Sequence, residues 1–504
     1  MASIFTTFPL LRQAAPRLTR EFFTCRACVK TPLPSAIRPS LRKSPFAQVL
    51  RSQSTQTHRP TTSDQSPLGT LSGTIGGRAD AKATPKTSSF PETSDKAVAY
   101  WLLGSAASVF GIVILGGLTR LTESGLSITE WRPVTGSIPP MTPEDWEIEF
   151  TKYRSSPEFA LLNPNMTLPE FKQIFWMEWG HRLWGRVIGL TFVVPTIYFI
   201  AQRKVSVPMA WKLIGISGLI GFQGVIGWWM VKSGLHDDLF AKGSHPRVSQ
   251  YRLTTHLGAA FIVYTTMLLS GLSILRERSL LKDPEAAQKL FATLKNPNLR
   301  LFRGSVTALS VLVFVTAMSG ALVAGLDAGL IYNEFPYMGL GLTPPKKELF
   351  DPFYSHVPDQ SDIWWRNMLE NPSLVQLDHR ILAMTTFTAI MSLFAYTRYS
   401  SRVRPILPAN ARKGVMGSVH LVCMQVALGI STLIYMVPTW LAATHQAGSL
   451  ALLTGVLVLG SRVSMSRRAV RLVQQAAKQQ SAALRGSGKR RLDVGVKGVE
   501  QKRP

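Results

Sequence analysis

Eight apolar segments, each about 20 residues long, occupy the sequence between residues 98 and 460. A segment of this length crosses the hydrocarbon core of a bilayer as an α-helix, because only a helix satisfies its own backbone hydrogen bonds there. The segments are 98–118, 180–200, 211–231, 254–275, 304–326, 377–396, 414–437 and 439–460. The sequence therefore predicts an all-α integral membrane protein with eight transmembrane helices, and the even number places both termini on one side.

Basic and acidic residues are segregated by these segments. The connections after the second, fourth and sixth segments are rich in lysine and arginine, whereas the long connections around 123–170 and 327–370 are rich in acids. Because basic loops remain on the matrix side of an inner membrane, we predict that both termini face the matrix. A net charge of +27 would also suit a nucleic-acid partner, but segregation across eight segments explains the charge without one.

The first 60 residues have the composition of a mitochondrial transit peptide. Arginines are interspersed with serines and threonines there, and Glu21 is the only acid. The CxxC motif that begins at Cys25 lies in this segment and has no second pair, so we interpret it as part of the leader. Residues 61–97 lack apolar periodicity, which predicts a disordered linker on the matrix side.

The two halves of the hydrophobic region share landmarks in the same order, at offsets of roughly 190 to 205 residues. Such self-similarity is typical of a duplicated unit, which predicts two pseudo-repeated four-helix bundles. The matched pairs are Glu123 with Asp327, His181 with His379, Arg182 with Arg380, Gln223 with Gln425 and His256 with His445. The predicted boundaries are an N-terminal module at 98–275, a matrix-side loop at 276–303, a C-terminal module at 304–461 and a basic matrix-side tail at 462–504.

Four of the matched residues are histidines near the beginning of even-numbered segments. Because these segments enter the membrane from the acidic, outer side, we predict that all four histidines lie toward the outer leaflet. They are His181, His256, His379 and His445. Ionisable groups in a membrane are costly and mark function, and a histidine pair within a helical bundle suits a heme iron. Copper and zinc are the alternatives, but neither thiolates nor a third ligand accompany each pair. We therefore predict two heme sites, one in each module.

The neighbours of these histidines differ between the halves. Glu178 precedes His181 by three residues, so its carboxylate shares a helix face with the imidazole and is a candidate proton carrier. The matching position holds Gln376, which does not ionise. Arg182 and Arg380 directly follow the first histidine of each pair, where arginine binds either heme propionates or lipid headgroups. The asymmetry favours chemistry in the N-terminal module.

Three motifs resemble the heme A synthase family over about residues 98–461. They are the E-x-x-H-R-x-x-G-R run from Glu178, the GGLTRLTESGLS stretch after the first segment, and the THLG, DHR and THQ histidine contexts. Members of this family have eight transmembrane helices and oxidise the methyl group at ring position 8 of heme O to the formyl group of heme A. The resemblance implies that activity, in the mitochondrial inner membrane, for the assembly of cytochrome c oxidase.

The resemblance also implies roles for individual residues. His181 and His256 would hold the substrate heme O and its product heme A, and Glu178 would be the catalytic carboxylate. His379 and His445 would hold a heme b. Bacterial relatives carry a cysteine pair in the first outer loop, but residues 119–177 contain no cysteine, so a thiol-dependent step is not carried over.

Heme O synthase and a matrix ferredoxin are the partners that the resemblance suggests. Glycine-rich helix faces also permit a homo-oligomer. Two other classes of protein remain open on the residues alone. A two-heme electron-transfer cytochrome would use the same ligands, but it normally stacks its hemes on opposite leaflets. A transporter of duplicated modules would place its site near the midplane.

Overall fold

The computed structural model describes residues 89–240 and 246–482. The predicted transit peptide, its CxxC motif and most of the predicted linker fall within 1–88, outside the described residues, as do residues 483–504 of the basic tail.

Eight helices in the described residues are long and apolar enough to span a membrane. This confirms the predicted all-α membrane fold and its number of spans. In chain order the helices are α1 (Lys96–Leu121), α2 (Leu168–Ala201), α3 (Val207–Lys232), α4 (Gln250–Lys282), α5 (Arg300–Gly325), α6 (Pro372–Tyr399), α7 (Ala409–Ile434) and α8 (Thr439–Val463).

The spanning helices pack as two groups of four. Within α1–α4 and within α5–α8, consecutive helices lie side by side and the last helix packs against the first. The two bundles meet where α4 packs on α5 and where α1 packs on α8. One continuous apolar cluster runs through both bundles, with fully buried side chains such as Leu102, Phe192, Phe261 and Phe302. The two histidine-bearing modules therefore share one hydrophobic core.

Helices α2 and α4 extend furthest beyond the apolar segments that identified them. Helix α2 begins at Leu168 rather than near residue 180, because the Glu170 carboxylate accepts a hydrogen bond from the Thr167 N–H at 2.8 Å and starts the helix in a polar stretch. Helix α4 continues to Lys282, and the predicted matrix-side loop contains a further helix, Pro284–Lys295. Periodicity of apolar residues missed both extensions because their surroundings are charged.

The connection from α1 to α2 folds into a small unit of its own, at the end of the bundles that we call the outer end. Helix Pro143–Arg154 packs on the first turns of α2, and their aromatic side chains form a separate buried cluster. Phe150 stacks on Phe171 with ring centroids 5.0 Å apart. We call this unit the outer aromatic cap; its buried members are Trp146, Phe150, Tyr153, Phe171 and Phe175.

Candidate heme sites

Each of the four histidines packs the Cε1 edge of its imidazole against a glycine of a neighbouring helix. A Cβ atom added at these glycines would lie only 2.8 to 3.2 Å from Cε1. The pairs are His181 with Gly116, His379 with Gly320, His256 with Gly227 and His445 with Gly429. The glycines occupy matching places in the two bundles, on α1 and α5 and on α3 and α7, so the same close approach occurs four times.

The histidines come together in the pairs that the sequence predicted. His181 on α2 interacts electrostatically with His256 on α4, and His379 on α6 interacts with His445 on α8. Three of the rings have a buried Nδ1 atom without a hydrogen-bond partner in the described residues. These three are His181, His256 and His445. The imidazoles therefore owe their orientation mainly to packing.

His379 is the exception, because its Nδ1 lies 2.8 Å from the hydroxyl oxygen of Ser319 on α5. The alignment of the two halves places Leu115 at the corresponding position of α1, and leucine offers no hydrogen bond to His181. A hydrogen bond to the second ring nitrogen fixes the tautomer and orientation of a ligating histidine. His379 therefore has an orienting hydrogen bond that His181 lacks.

Two glutamines support the fourth helix of each bundle at the level of its histidine. The Gln223 side-chain amide donates to the His256 carbonyl oxygen at 3.0 Å, and Gln425 donates to the His445 carbonyl oxygen at 2.9 Å. Because an interhelical hydrogen bond holds two backbones in register, these contacts fix α3 against α4 and α7 against α8.

Glu178 is buried, with 3% of its surface exposed, and both carboxylate oxygens are engaged. Oε1 accepts hydrogen bonds from the Arg182 guanidinium at 2.6 and 3.0 Å. Oε2 accepts from the Ser127 hydroxyl at 2.7 Å and from the Ile128 N–H at 2.8 Å. These contacts attach the beginning of the outer connection to α2, one turn before His181.

Arg182 and Arg380 both hold their outer connections against a spanning helix. Besides Glu178, Arg182 donates to the Ile128 and Glu130 carbonyl oxygens. Arg380 donates to the Tyr332 and Tyr337 carbonyl oxygens at 3.0 and 3.2 Å. Both arginines were identified from sequence because each follows a histidine. Their backbone partners lie about 50 residues away, so the motif did not predict these hydrogen bonds.

The outer end also contains a charge cluster that joins the bundles. Asp327 accepts hydrogen bonds from Arg120 of α1 at 2.8 Å and from Arg247, just before α4, at 2.9 Å. Asp327 and Glu123, which the sequence comparison of the two halves matched, both adopt left-handed backbone conformations, with φ of 50° and 51°. Sequence reasoning did not single out Arg247, because it lies in a short polar connection between two spans.

A second contact joins the bundles beside the histidines. The Gln446 amide donates to the Val113 carbonyl oxygen on α1 at 2.9 Å, and its side chain fills the space that a Cβ at Gly117 would need. Gln446 follows His445, and Gly117 follows the glycine that packs on His181. The neighbouring residues of the two sites are therefore in direct contact.

Each bundle thus offers two imidazoles, close-packed glycines on the facing helices and no thiolate at the pair. A heme iron carries four nitrogen ligands of its own and needs only axial ligands from the protein, so this donor set fits heme. The buried, unpartnered Nδ1 atoms are compatible with ligation through the other ring nitrogen.

The fold is that of a polytopic helical membrane protein, with one pair of interacting histidines in each group of four helices. Residues 99–457 match the model of the COX15-CtaA family, described as cytochrome oxidase assembly protein, and the chain belongs to this family. This confirms the family resemblance of the motifs.

Several relatives with assigned names are similar over most of the chain. Heme A synthase COX15 of Saccharomyces cerevisiae is 51% identical over 75% of this chain and 78% of its own length. The human protein of that name is 46% identical over 73% of this chain and 83% of its own. A heme A synthase-mitochondrial ferredoxin fusion protein of Schizosaccharomyces pombe is 53% identical over 73% of this chain and 60% of its own.

Proposed function

We propose that this protein is an enzyme of heme A biosynthesis that serves cytochrome oxidase assembly. Its substrate is heme O, and the reaction oxidises the methyl group at ring position 8 through an alcohol to the formyl group of heme A. Membership of the family and the names of relatives at 46–51% identity support the activity. The observation that carries the assignment of the site is the histidine pair beside Glu178 in the first bundle.

In this proposal the N-terminal module, 98–275, is the catalytic one. His181 and His256 hold heme O as substrate and heme A as product, and Glu178 is the catalytic carboxylate. Support comes from the burial of Glu178 one turn before His181 and from the replacement of this acid by Gln376 in the other half.

The C-terminal module, 304–461, holds a heme b through His379 and His445. When bound, this heme supplies a site for one-electron redox chemistry. The Ser319 hydroxyl at His379 Nδ1 supports a permanent cofactor here, since it fixes one ligand in place. The matched glycine and glutamine contacts also support our proposal that the two modules are structural repeats.

Arg182 and Arg380 are proposed to bind heme propionates. A guanidinium recognises a carboxylate through two parallel hydrogen bonds, and both arginines lie at the outer end beside a candidate ligand. Their present hydrogen bonds to backbone carbonyl oxygens would be shared with, or exchanged for, bonds to the propionates.

We further propose a location in the mitochondrial inner membrane with both termini in the matrix. The eight spans and the basic connections support that arrangement. The Schizosaccharomyces pombe relative contains a mitochondrial ferredoxin in the same chain, which supports a ferredoxin as redox partner. Heme O synthase as the source of substrate, and a homo-oligomer, complete the proposed associations.

Pigment extraction from the purified protein tests this function. We expect heme b together with heme O or heme A after chromatographic separation. Heme b alone in both modules would contradict the proposal and would favour the two-heme electron-transfer cytochrome.

Variants then test the division between modules. His181→Ala is expected to remove heme O and heme A while heme b stays, and His379→Ala to remove heme b. Glu178→Gln is expected to retain pigment but to form little heme A, whereas Glu147→Gln, at an exposed position of the same outer connection, is the matched control. Unchanged heme A output from Glu178→Gln would exclude Glu178 from the reaction.

A further inference from the structure

A second carboxyl group is buried at the outer end of the first bundle. Glu158 lies on the short helix Pro157–Leu161, between the aromatic cap helix and α2, and only 4% of its surface is exposed. Its Oε2 atom is buried and has no hydrogen-bond partner in the described part of the chain. The Tyr153 hydroxyl is the polar group next to the carboxyl. The Tyr153 hydroxyl stabilises the charged form of this group, but the Oε2 atom of a carboxylate in this position would be buried without a donor.

The acidic groups around Glu158 also disfavour a negative charge on its own carboxyl group. Four groups on three elements interact with Glu158, and two of the four are acids. They are Tyr153 of the cap helix, Glu178 of α2, and Glu123 and Arg120 at the end of α1. The turn Asp237–Phe240 packs on the same short helix, but Asp237 and Asp238 are exposed to solvent. A single arginine therefore opposes two nearby carboxylates.

Burial raises the pKa of Glu158 to about 8, and the charges of Glu178 and Glu123 raise it in the same direction. Glu158 is therefore neutral at the pH at which most carboxyl groups are charged. Glu178 differs in its contacts, because its two oxygens already accept four hydrogen bonds. Of the two buried acids, Glu158 has the oxygen that is free to gain and lose a proton.

We propose that Glu158 is the proton-exchanging group of the N-terminal site and acts through its electrostatic coupling to Glu178. In one cycle the Oε2–H bond of Glu158 breaks and the proton passes to water at the outer end. The Glu178 carboxylate takes up a proton that the proposed oxidation of the substrate methyl group releases, and it then passes this proton to the Glu158 carboxylate, so the O–H bond at Glu178 breaks as the O–H bond at Glu158 forms again. One proton enters and one leaves, and no electron moves through this group. Its part in heme A formation rests on the function proposed above.

Infrared spectroscopy of the full-length protein tests the protonation state independently of activity. With carbon-13-labelled glutamate, the wild-type protein is expected to show the carbonyl band of a protonated carboxylic acid at neutral pH. This band should disappear as the pH is raised toward about 10. Glu158→Gln should lack the band and Glu147→Gln should retain it. Absence of the band from the wild-type protein, or its persistence in Glu158→Gln, would overturn the proposal.

The pH dependence of heme A formation tests the coupling. Glu158→Gln is expected to lower the rate of heme A formation at neutral pH and to make this rate vary less with pH between about pH 7 and pH 9. Glu158→Asp is expected to restore part of the pH dependence. Heme content measured by absorbance shows that each variant is folded. A profile for Glu158→Gln that matches wild type at every pH would refute the coupling. A failure of the proposed function would instead leave the wild-type protein without heme A formation, with the infrared band intact.

Discussion

At the scale of single residues, glycine does as much as histidine to form the candidate heme sites. Every imidazole edge lies against a glycine Cα, and the gap between the ring and this Cα holds the glycine hydrogen atom but not a methyl group. The histidines were recognisable from sequence because they recur in matched apolar contexts. Their glycine partners were not, because helical glycines are common in membrane proteins and only three-dimensional packing shows which of them face a ring.

Replacing Gly116 with alanine tests this packing. The new methyl group would lie 2.8 Å from His181 Cε1, so the ring must move and we expect the N-terminal module to lose most of its heme. Gly104→Ala on the same helix is the control, because no atom lies within 4 Å of its added Cβ. Pigment analysis of the two purified variants makes the comparison. Equal heme content would show that the contact does not determine the position of His181.

Glu158 is expected to make stability depend on pH. Its pKa in the folded protein is raised from the ordinary 4.5 to about 8, so its contribution is complete below pH 4.5 and is lost as the pH rises through about 8. Each unit of such a shift corresponds to about 1.4 kcal/mol. Thermal unfolding in detergent should therefore show a steeper fall of Tm with pH for the wild-type protein than for Glu158→Gln. Parallel Tm profiles would contradict this assignment.

At the scale of elements, the spanning helices were predictable and the outer structures were not. Apolar length identifies a span because a bilayer imposes it, but no such constraint applies outside the membrane. The aromatic cap depends on Phe150 of one helix stacking on Phe171 of another. The sequence of either helix by itself does not predict this contact. The early start of α2 had a local sequence signal, the capping box of Thr167 and Glu170. A search for apolar segments does not detect this signal, because both residues are polar.

The cap is expected to depend on Phe150, which is fully buried between Phe171 and Phe159. Phe150→Ala removes this packing at a cost of about 3 to 5 kcal/mol. We expect the outer connection to become sensitive to added protease while the spanning helices stay protected. Ile148→Ala, at an exposed position of the same helix, serves as control. Protease resistance equal to wild type would argue against a separate folding unit.

At the scale of the whole molecule, the two bundles are joined by polar contacts as well as by a shared core. Asp327 pairs with arginines from both sides of the first bundle, although it belongs to the second. The alignment of the halves identified Asp327 as the mate of Glu123 but gave no reason to expect this contact. Matching of the two halves predicts similar surroundings for Glu123 and Asp327. The interface between the bundles makes them different, because Asp327 pairs with two arginines of the other bundle.

Asp327→Asn is expected to destabilise the pairing of the bundles. It leaves two arginines without their carboxylate. Because these side chains are partly exposed, 15% for each arginine and 27% for Asp327, we expect a cost below that of breaking a fully buried pair, which is about 3 to 5 kcal/mol. The thermal unfolding midpoint in detergent should fall, with loss of pigment from both modules. Asp238→Asn, at an exposed position, should unfold like wild type. An unchanged midpoint for Asp327→Asn would show that the core alone holds the bundles together.

The contact between Gln446 and Gly117 also bears on how sequences of this kind diverge. The side chain of Gln446 takes up the volume that any larger residue at 117 would require, and its amide holds the Val113 carbonyl oxygen. Substitutions at the two positions are therefore expected to covary, with a bulkier residue at 117 tolerated only beside a shorter one at 446. The two bundles would then evolve together, because each limits the substitutions that the other accepts.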